Sequence, residues 1–206
     1  CGLQDYEVRI GHVGVLRDIL TGLGLSQEGE PEAPVASAMR LLDKGDWDGL
    51  SELFTKNGID SSATQDLRSL SELDGGIETL DSAREILTSM GVPLESLTEL
   101  KQLLSALESL APTPPSLKVN LCVARGLDYY TGMVFEVNVA ELGGEGQVLG
   151  GGSYRLLHLF GLEDLDPSCG FGLGFDRVLL ALEAQAERAG RSEVVPGETP
   201  AATTLM

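Results

Sequence analysis

"ARGLDYYTGMVFEVNVAELGGEGQVLGGGSY", residues 124–154, decides the fold. "GMVFEVNVA" is a strand-like run rich in β-branched and aromatic residues, and "QVLGGGSY" is a second. Between them lies the glycine turn "LGGEG", so the pair reads as an antiparallel hairpin. A plain hairpin needs only alternation. This one crowds Arg125, Asp128, Tyr129 and Tyr130 at its entrance, and three glycines followed by Tyr154 at its exit. If the entrance is extended, Tyr129 and Tyr130 point to opposite faces. One tyrosine is then expected to pack while the other presents its hydroxyl to a pocket.

The flanks extend the pattern. Downstream, "SCGFGLGFDRVLLALEAQAERAG" reads as a glycine-dense strand running into a helix. Upstream, "YEVRIG" alternates like a strand, and "VGVLRDILTGL" carries apolar positions at helical spacing and ends near glycine. After the polar break "SQEGEPEAP", residues 35–110 read as short amphipathic helices divided by Gly and Pro stops. "APTPPS" is a proline-stiffened exit linker, and "LKVNLCVA" is again strand-like. Strands interrupted by helices and closed by a helix predict an α+β fold, with helices flanking an antiparallel sheet. The expected units are the start of the core over 1–25, a helical insertion with its linker over 26–115, the main core over 116–190 and a tail over 191–206.

Charge narrows the function classes. The 206 residues carry a net charge of −18, with four lysines and ten arginines. Residues 26–110 hold 17 acidic and 6 basic side chains, so much of the negative charge sits in the insertion. Such a field repels nucleic acid at long range, so any nucleic-acid role rests on local arginines or on parts outside this chain. Salt adaptation is one reading of the acidity. No apolar run approaches the roughly 20 residues that span a bilayer. The three cysteines (Cys1, Cys122, Cys169) form no close pair. They fit a reducing cytoplasm, with Cys122 and Cys169 as small core residues.

Three stretches could carry chemistry. In "RGLDYYTG", Arg125 offers a planar fork for a phosphate or carboxylate, and Asp128 can orient it. The bland alternative is an Arg–Asp pair with packing tyrosines. In "LGGGSY", three glycines ending at Gly152 clear space where backbone passes close to something, and Tyr154 reaches into it. A bulge or loop is the alternative. In "CGFGLGFDR", Gly170, Gly172 and Gly174 alternate, leaving one strand face without side chains, against which a flat ligand could lie. Arg177 opens the next helix, where its cation opposes the helix's positive end unless an anion is present. The G-x-G-x-G spacing is not a dinucleotide-binding fingerprint. His12 and His158 match no metal spacing and read as structural or surface residues, and no metal site is expected.

Taken together, "RGLDYYTG", "GGGSY" and "GFGLGFDR" resemble the histidyl-tRNA synthetases, a class II aminoacyl-tRNA synthetase family. They look like its two histidine signatures and class II motif 3, in the family's order, with a helical insertion ahead of the first. The resemblance implies that Arg125 is the catalytic residue, standing against the α-phosphate and the histidine carboxylate. It implies a histidine pocket lined by Tyr129, Tyr130, Tyr154 and Gly152, and an ATP site formed by Arg177, Gly172 and Gly174. Histidine, ATP with Mg2+ as a substrate complex and tRNA(His) are the implied partners, in a cytoplasmic homodimer with no tightly bound cofactor. Many members of the family have arginine before the second-signature tyrosine and aspartate after it. Here those positions are Ser153 and Arg155, which looks like an archaeal variant.

The resemblance also implies that motif 1, motif 2 and the anticodon-binding domain lie outside these 206 residues. The chain is therefore expected to hold half an active site and not to aminoacylate alone. Two other readings use the same motifs. One is the synthetase-like regulatory subunit of ATP phosphoribosyltransferase, and the other is a non-catalytic synthetase-like binding domain. Both arginines favour the enzyme, because a sensor of free histidine needs no grip on ATP phosphates.

Overall fold

The computed structural model describes residues 2–28, 32–73, 75–110, 117–122, 129–162, 165 and 167–190. Strand β1 (Tyr6–His12) runs directly into helix α1 (Val13–Gly22). Five helices follow: α2 (Pro34–Asp43), α3 (Trp47–Lys56), α4 (Ser62–Ser71), α5 (Thr79–Ser89) and α6 (Glu95–Leu110). The chain then forms β2 (Leu117–Val119), β3 (Tyr130–Val139), β4 (Gln147–Tyr154), β5 (Ser168–Leu173) and α7 (Phe175–Arg188).

The strands form one sheet in the order β2-β1-β3-β4-β5. Three of its pairings are antiparallel, as expected, but β1 and β2 pair in parallel. The whole helical segment connects those two strands, and a long crossover is what parallel neighbours require. The β3–β4 connection is a 3-10 segment, Ala140–Glu145, with Gly143 at φ 65°. Val139 N–H closes it on the Gly146 carbonyl at 2.8 Å. The glycine turn therefore does its expected work.

Register sorts the side chains of the sheet onto two faces. Val8, Ile10, Phe135, Val137 and Leu149 fall on one face, and the helices supply partners for the last four. Val134, Glu136, Gly150 and Gly152 fall on the other. Residues 26–110 do not bury their apolar faces in isolation. Leu50, Phe54, Leu67, Leu70, Leu87 and Leu100 form one continuous cluster with Ile10, Leu16, Ile19, Leu20 and Val119 of β1, α1 and β2. Helix α6 is also pinned to α1 by a polar contact, Ser96 Oγ donating to Asp18 Oδ2 at 2.7 Å. A smaller cluster of Val139, Val148, Val178 and Ala181 seats α7.

The cysteines divide. Cys122 is part of the core: burial pushes its thiol up to about 12, and Sγ lies 3.7 Å from the Leu67 carbonyl. Cys169 corrects the sequence expectation, for it is exposed. It lies on β5, the last strand of the sheet order, where Phe171 and Leu173 are exposed as well. Cys1 lies outside the described residues.

Candidate functional site

Three tyrosines meet where β3 begins and β4 ends. Tyr130 and Tyr154 are direct cross-strand partners, with ring centroids 6.4 Å apart and the rings edge to face. Tyr129 lies 4.7 Å from Tyr130 and 5.7 Å from Tyr154, again edge-on to the latter. These are favourable aromatic spacings. Tyr130 is 6% exposed and packs with Val13 and Val134, while Tyr129 and Tyr154 cover the same cluster from outside. The expected division of Tyr129 and Tyr130 between opposite faces does not hold. Strand β3 starts only at Tyr130, so the alternation rule does not reach Tyr129, and both rings join one cluster.

Beside the tyrosines the sheet is bare. Cross-strand pairing places Gly152 against Gly170 and Gly150 against Gly172, on the face that carries Tyr154 and Val134. The "GGG" stretch is therefore strand and not a mobile loop. At Gly152 there is no room for more: a Cβ would lie 2.5 Å from the Met133 carbonyl oxygen and 3.0 Å from Tyr130 Cδ1. At Gly170 it would meet the Tyr154 hydroxyl at 3.1 Å, whereas at Gly172 it would meet nothing within 4 Å. The strip is thus closed beneath the tyrosines and open toward Gly172. A flat group can lie on it with its polar end toward the helix that follows.

That helix is α7, with Arg177 in its first turn, as expected. Gly174 is its N-cap, and no side chain caps the helix. Arg177 Nη1 donates to the Gln147 carbonyl at 2.9 Å, and its Cδ would stand 3.3 Å from a Cβ on Gly174. The side chain bends back along the strand end instead of projecting along the helix axis. A backbone carbonyl thereby meets part of the need for negative charge that the arginine's position creates, while the residue stays exposed.

His12 has a structural role, which agrees with its sequence reading. It is 3% exposed, and its Nδ1 caps α1 by accepting from Gly14 N–H at 3.1 Å. Its Nε2 stands 3.5 Å from Glu99 Oε2 on α6, without a hydrogen-bond partner among the described residues. Burial holds the imidazole below its ordinary pKa, opposed by the nearby Glu99 and Asp18 carboxylates. Ser153 packs against the Gly132 position, and Arg155 is exposed beyond the end of β4. Arg125 and Asp128 lie outside the described residues, as does the side chain of His158.

Sequence reasoning missed what stands behind the tyrosines. Val13 and Val134 are buried with Tyr130, and Met39, far upstream on α2, packs against the same cluster. No local pattern around Met39 could have signalled that contact.

Comparison with known proteins identifies the family. A family model described as histidyl-tRNA synthetase matches residues 1–178. A histidine–tRNA ligase from Archaeoglobus fulgidus is 39% identical over 191 residues, which are 93% of this chain and 42% of that protein. The chain thus spans less than half the length of this curated relative. Among solved structures, histidyl-tRNA synthetase from Nostoc sp. PCC 7120 superposes with a TM-score of 0.72 at 24% identity, over 95% of this chain and 45% of that one. A structure described as an ATP phosphoribosyltransferase regulatory subunit/histidyl-tRNA synthetase, from Bacillus halodurans, does so with a TM-score of 0.66 at 26% identity. It covers 89% of this chain and 45% of that one.

Proposed function

The chain belongs to the histidyl-tRNA synthetase family, and on that premise we propose that it supplies one wall of the active site of a histidine–tRNA ligase. The whole protein joins histidine to ATP and passes the histidyl group from the adenylate to tRNA(His). The tyrosine triad against the glycine strip carries this reading. It offers an aromatic surface for an imidazole beside a smooth floor for a nucleotide.

In this assignment Tyr129, Tyr130, Tyr154 and Gly152 surround the histidine side chain. Gly172 and Gly174 give the floor for ATP, which enters as its magnesium complex, and Arg177 faces the phosphates. Arg125 is assigned to the amino-acid carboxylate and the α-phosphate. The carboxylate oxygen attacks the α-phosphorus in line, the bond to the bridging oxygen breaks, and pyrophosphate leaves. Such a reaction needs positioning and charge stabilisation more than a protein nucleophile, which fits a site of tyrosines and glycines with Arg177 at its end. The complete enzyme is a homodimer working in the cytoplasm.

The Bacillus halodurans likeness favours a second reading, a regulatory subunit that binds histidine without charging tRNA. Arg177 argues for the ligase, since free histidine presents no phosphate for it to hold. Calorimetry on the full-length protein separates the two. Binding of histidine, of ATP and of a non-hydrolysable histidyl-adenylate analogue is expected for the ligase. Histidine binding with no ATP binding contradicts it.

A further inference from the structure

Met39 lies between two hydrophobic clusters. It packs against the large core that the helices of residues 34–110 share with β1, α1 and β2. It also packs against the small cluster of Val13, Tyr130 and Val134, on which Tyr129 and Tyr154 rest. Among the described residues no other side chain belongs to both. Helix α2 brings it there for a simple reason. Val35, Ala38 and Leu42 form the buried stripe of α2 at helical spacing, and Met39 flanks that stripe one residue on from Ala38. The helix start is also tied down, by Val35 N–H donating to the Ser26 carbonyl at 3.1 Å and by an ion pair between Arg40 and Glu32. An unbranched thioether suits such a seam, because it fills irregular gaps and makes favourable contacts with aromatic rings.

We propose that Met39 is a positioning residue for the histidine pocket. Through the Val13–Tyr130–Val134 cluster it fixes the attitude of Tyr130, and with it the edge-on rings of Tyr129 and Tyr154. The helical insertion is then a supporting wall of the amino-acid site as well as an appendage of the core. A displacement of α2 reaches the tyrosines through this side chain as well as through α1, whose Val13 belongs to the same cluster. The proposal rests on the reading that these tyrosines hold histidine.

The test is steady-state ATP–pyrophosphate exchange by the full-length protein and three variants. Met39→Ala is expected to raise the KM for histidine by about tenfold while leaving the KM for ATP within about twofold. Met39→Leu, which keeps the volume, is expected to restore the histidine KM to within about threefold. Leu53→Ala truncates a half-buried side chain that packs only on the helical core, and it is expected to leave both KM values within about twofold. A histidine KM that does not move in Met39→Ala, or that rises equally in Leu53→Ala, overturns the proposal.

A second measurement does not depend on the alanine variant folding. With methionine methyl groups labelled with carbon-13, the Met39 resonance of the unaltered protein, assigned with Met39→Leu, is expected to shift when histidine saturates. A resonance that stays in place overturns the proposal. Absence of histidine-dependent exchange in the unaltered protein sinks the functional reading and this proposal with it. Normal exchange with an unmoved Met39→Ala sinks the proposal alone.

Discussion

A Cβ on Gly152 would lie 3.0 Å from Cδ1 of Tyr130, so the tyrosine ring already fills the space a side chain at residue 152 would need. The Met133 carbonyl oxygen, at 2.5 Å from the same point, is backbone and cannot swing away. Gly152→Ala is therefore expected to destabilise the full-length protein by about 1–3 kcal/mol, the usual cost of overpacking. The displaced ring is also expected to raise the KM for histidine more than that for ATP. Thermal denaturation and exchange kinetics on the same preparation check both outcomes. An unchanged melting temperature contradicts the packing argument.

Gly172 makes the opposite case. A Cβ there meets nothing within 4 Å, so Gly172→Ala is expected to leave stability within about 0.5 kcal/mol of the unaltered protein. If a nucleotide lies across the open end of the strip, the added methyl group stands in its way. The expected result is a raised KM for ATP with an unchanged KM for histidine. A variant with normal ATP kinetics places the nucleotide elsewhere.

Arg177 is exposed and donates to the Gln147 carbonyl at the start of β4. Arg177→Ala is thus expected to change stability by no more than about 1 kcal/mol. Loss of the guanidinium is expected to weaken ATP binding by about tenfold or more, since charge-assisted contacts to phosphate are among the stronger hydrogen bonds. Titration calorimetry with ATP and with histidine separates these. Equal losses for the two ligands would assign Arg177 to the fold and not to the nucleotide.

Much of this site is legible in sequence because its chemistry is local. "GGGSY" and "GFGLGFDR" keep their glycines and their tyrosine or arginine within a few residues, and the β4–β5 pairing then lays the glycines side by side. The same local rules fail where partners are distant. Nothing in "LKVNLCVA" says that Leu117–Val119 pairs in parallel with Val8–Ile10 across more than a hundred residues of chain. Cys169 looks like core in an apolar stretch, yet its strand ends the sheet order and leaves it exposed. Alternation says nothing of Tyr129, because the strand begins one residue later, at Tyr130. The contact of Met39 with the pocket cluster is set by how α2 lies beside α1, which no window of sequence contains.

His12 gives a pH dependence with a definite sign. Burial holds its folded pKa below the unfolded value of about 6.5, so the unfolded chain takes up the proton first as pH falls. The stability is present above that value and is lost as pH drops through the unfolded pKa toward the folded one. Protonation at Nδ1 would also remove the acceptor that caps α1. The melting temperature is expected to fall between about pH 7.5 and 5.5. His12→Asn, which keeps a capping acceptor, is expected to flatten that fall. Glu99→Gln removes a carboxylate that favours the charged imidazole, so it is expected to steepen the fall. Identical pH profiles for all three proteins would contradict this role.

On the proposed reading, Tyr130, Tyr154 and the glycine strip form the histidine-activating wall of a ligase. The most direct test of that reading is ATP–pyrophosphate exchange by the full-length protein, with each of the twenty amino acids supplied in turn. The expected result is exchange that depends on histidine and is abolished or strongly reduced in Tyr154→Ala. Tight histidine binding with no exchange under any amino acid would contradict it.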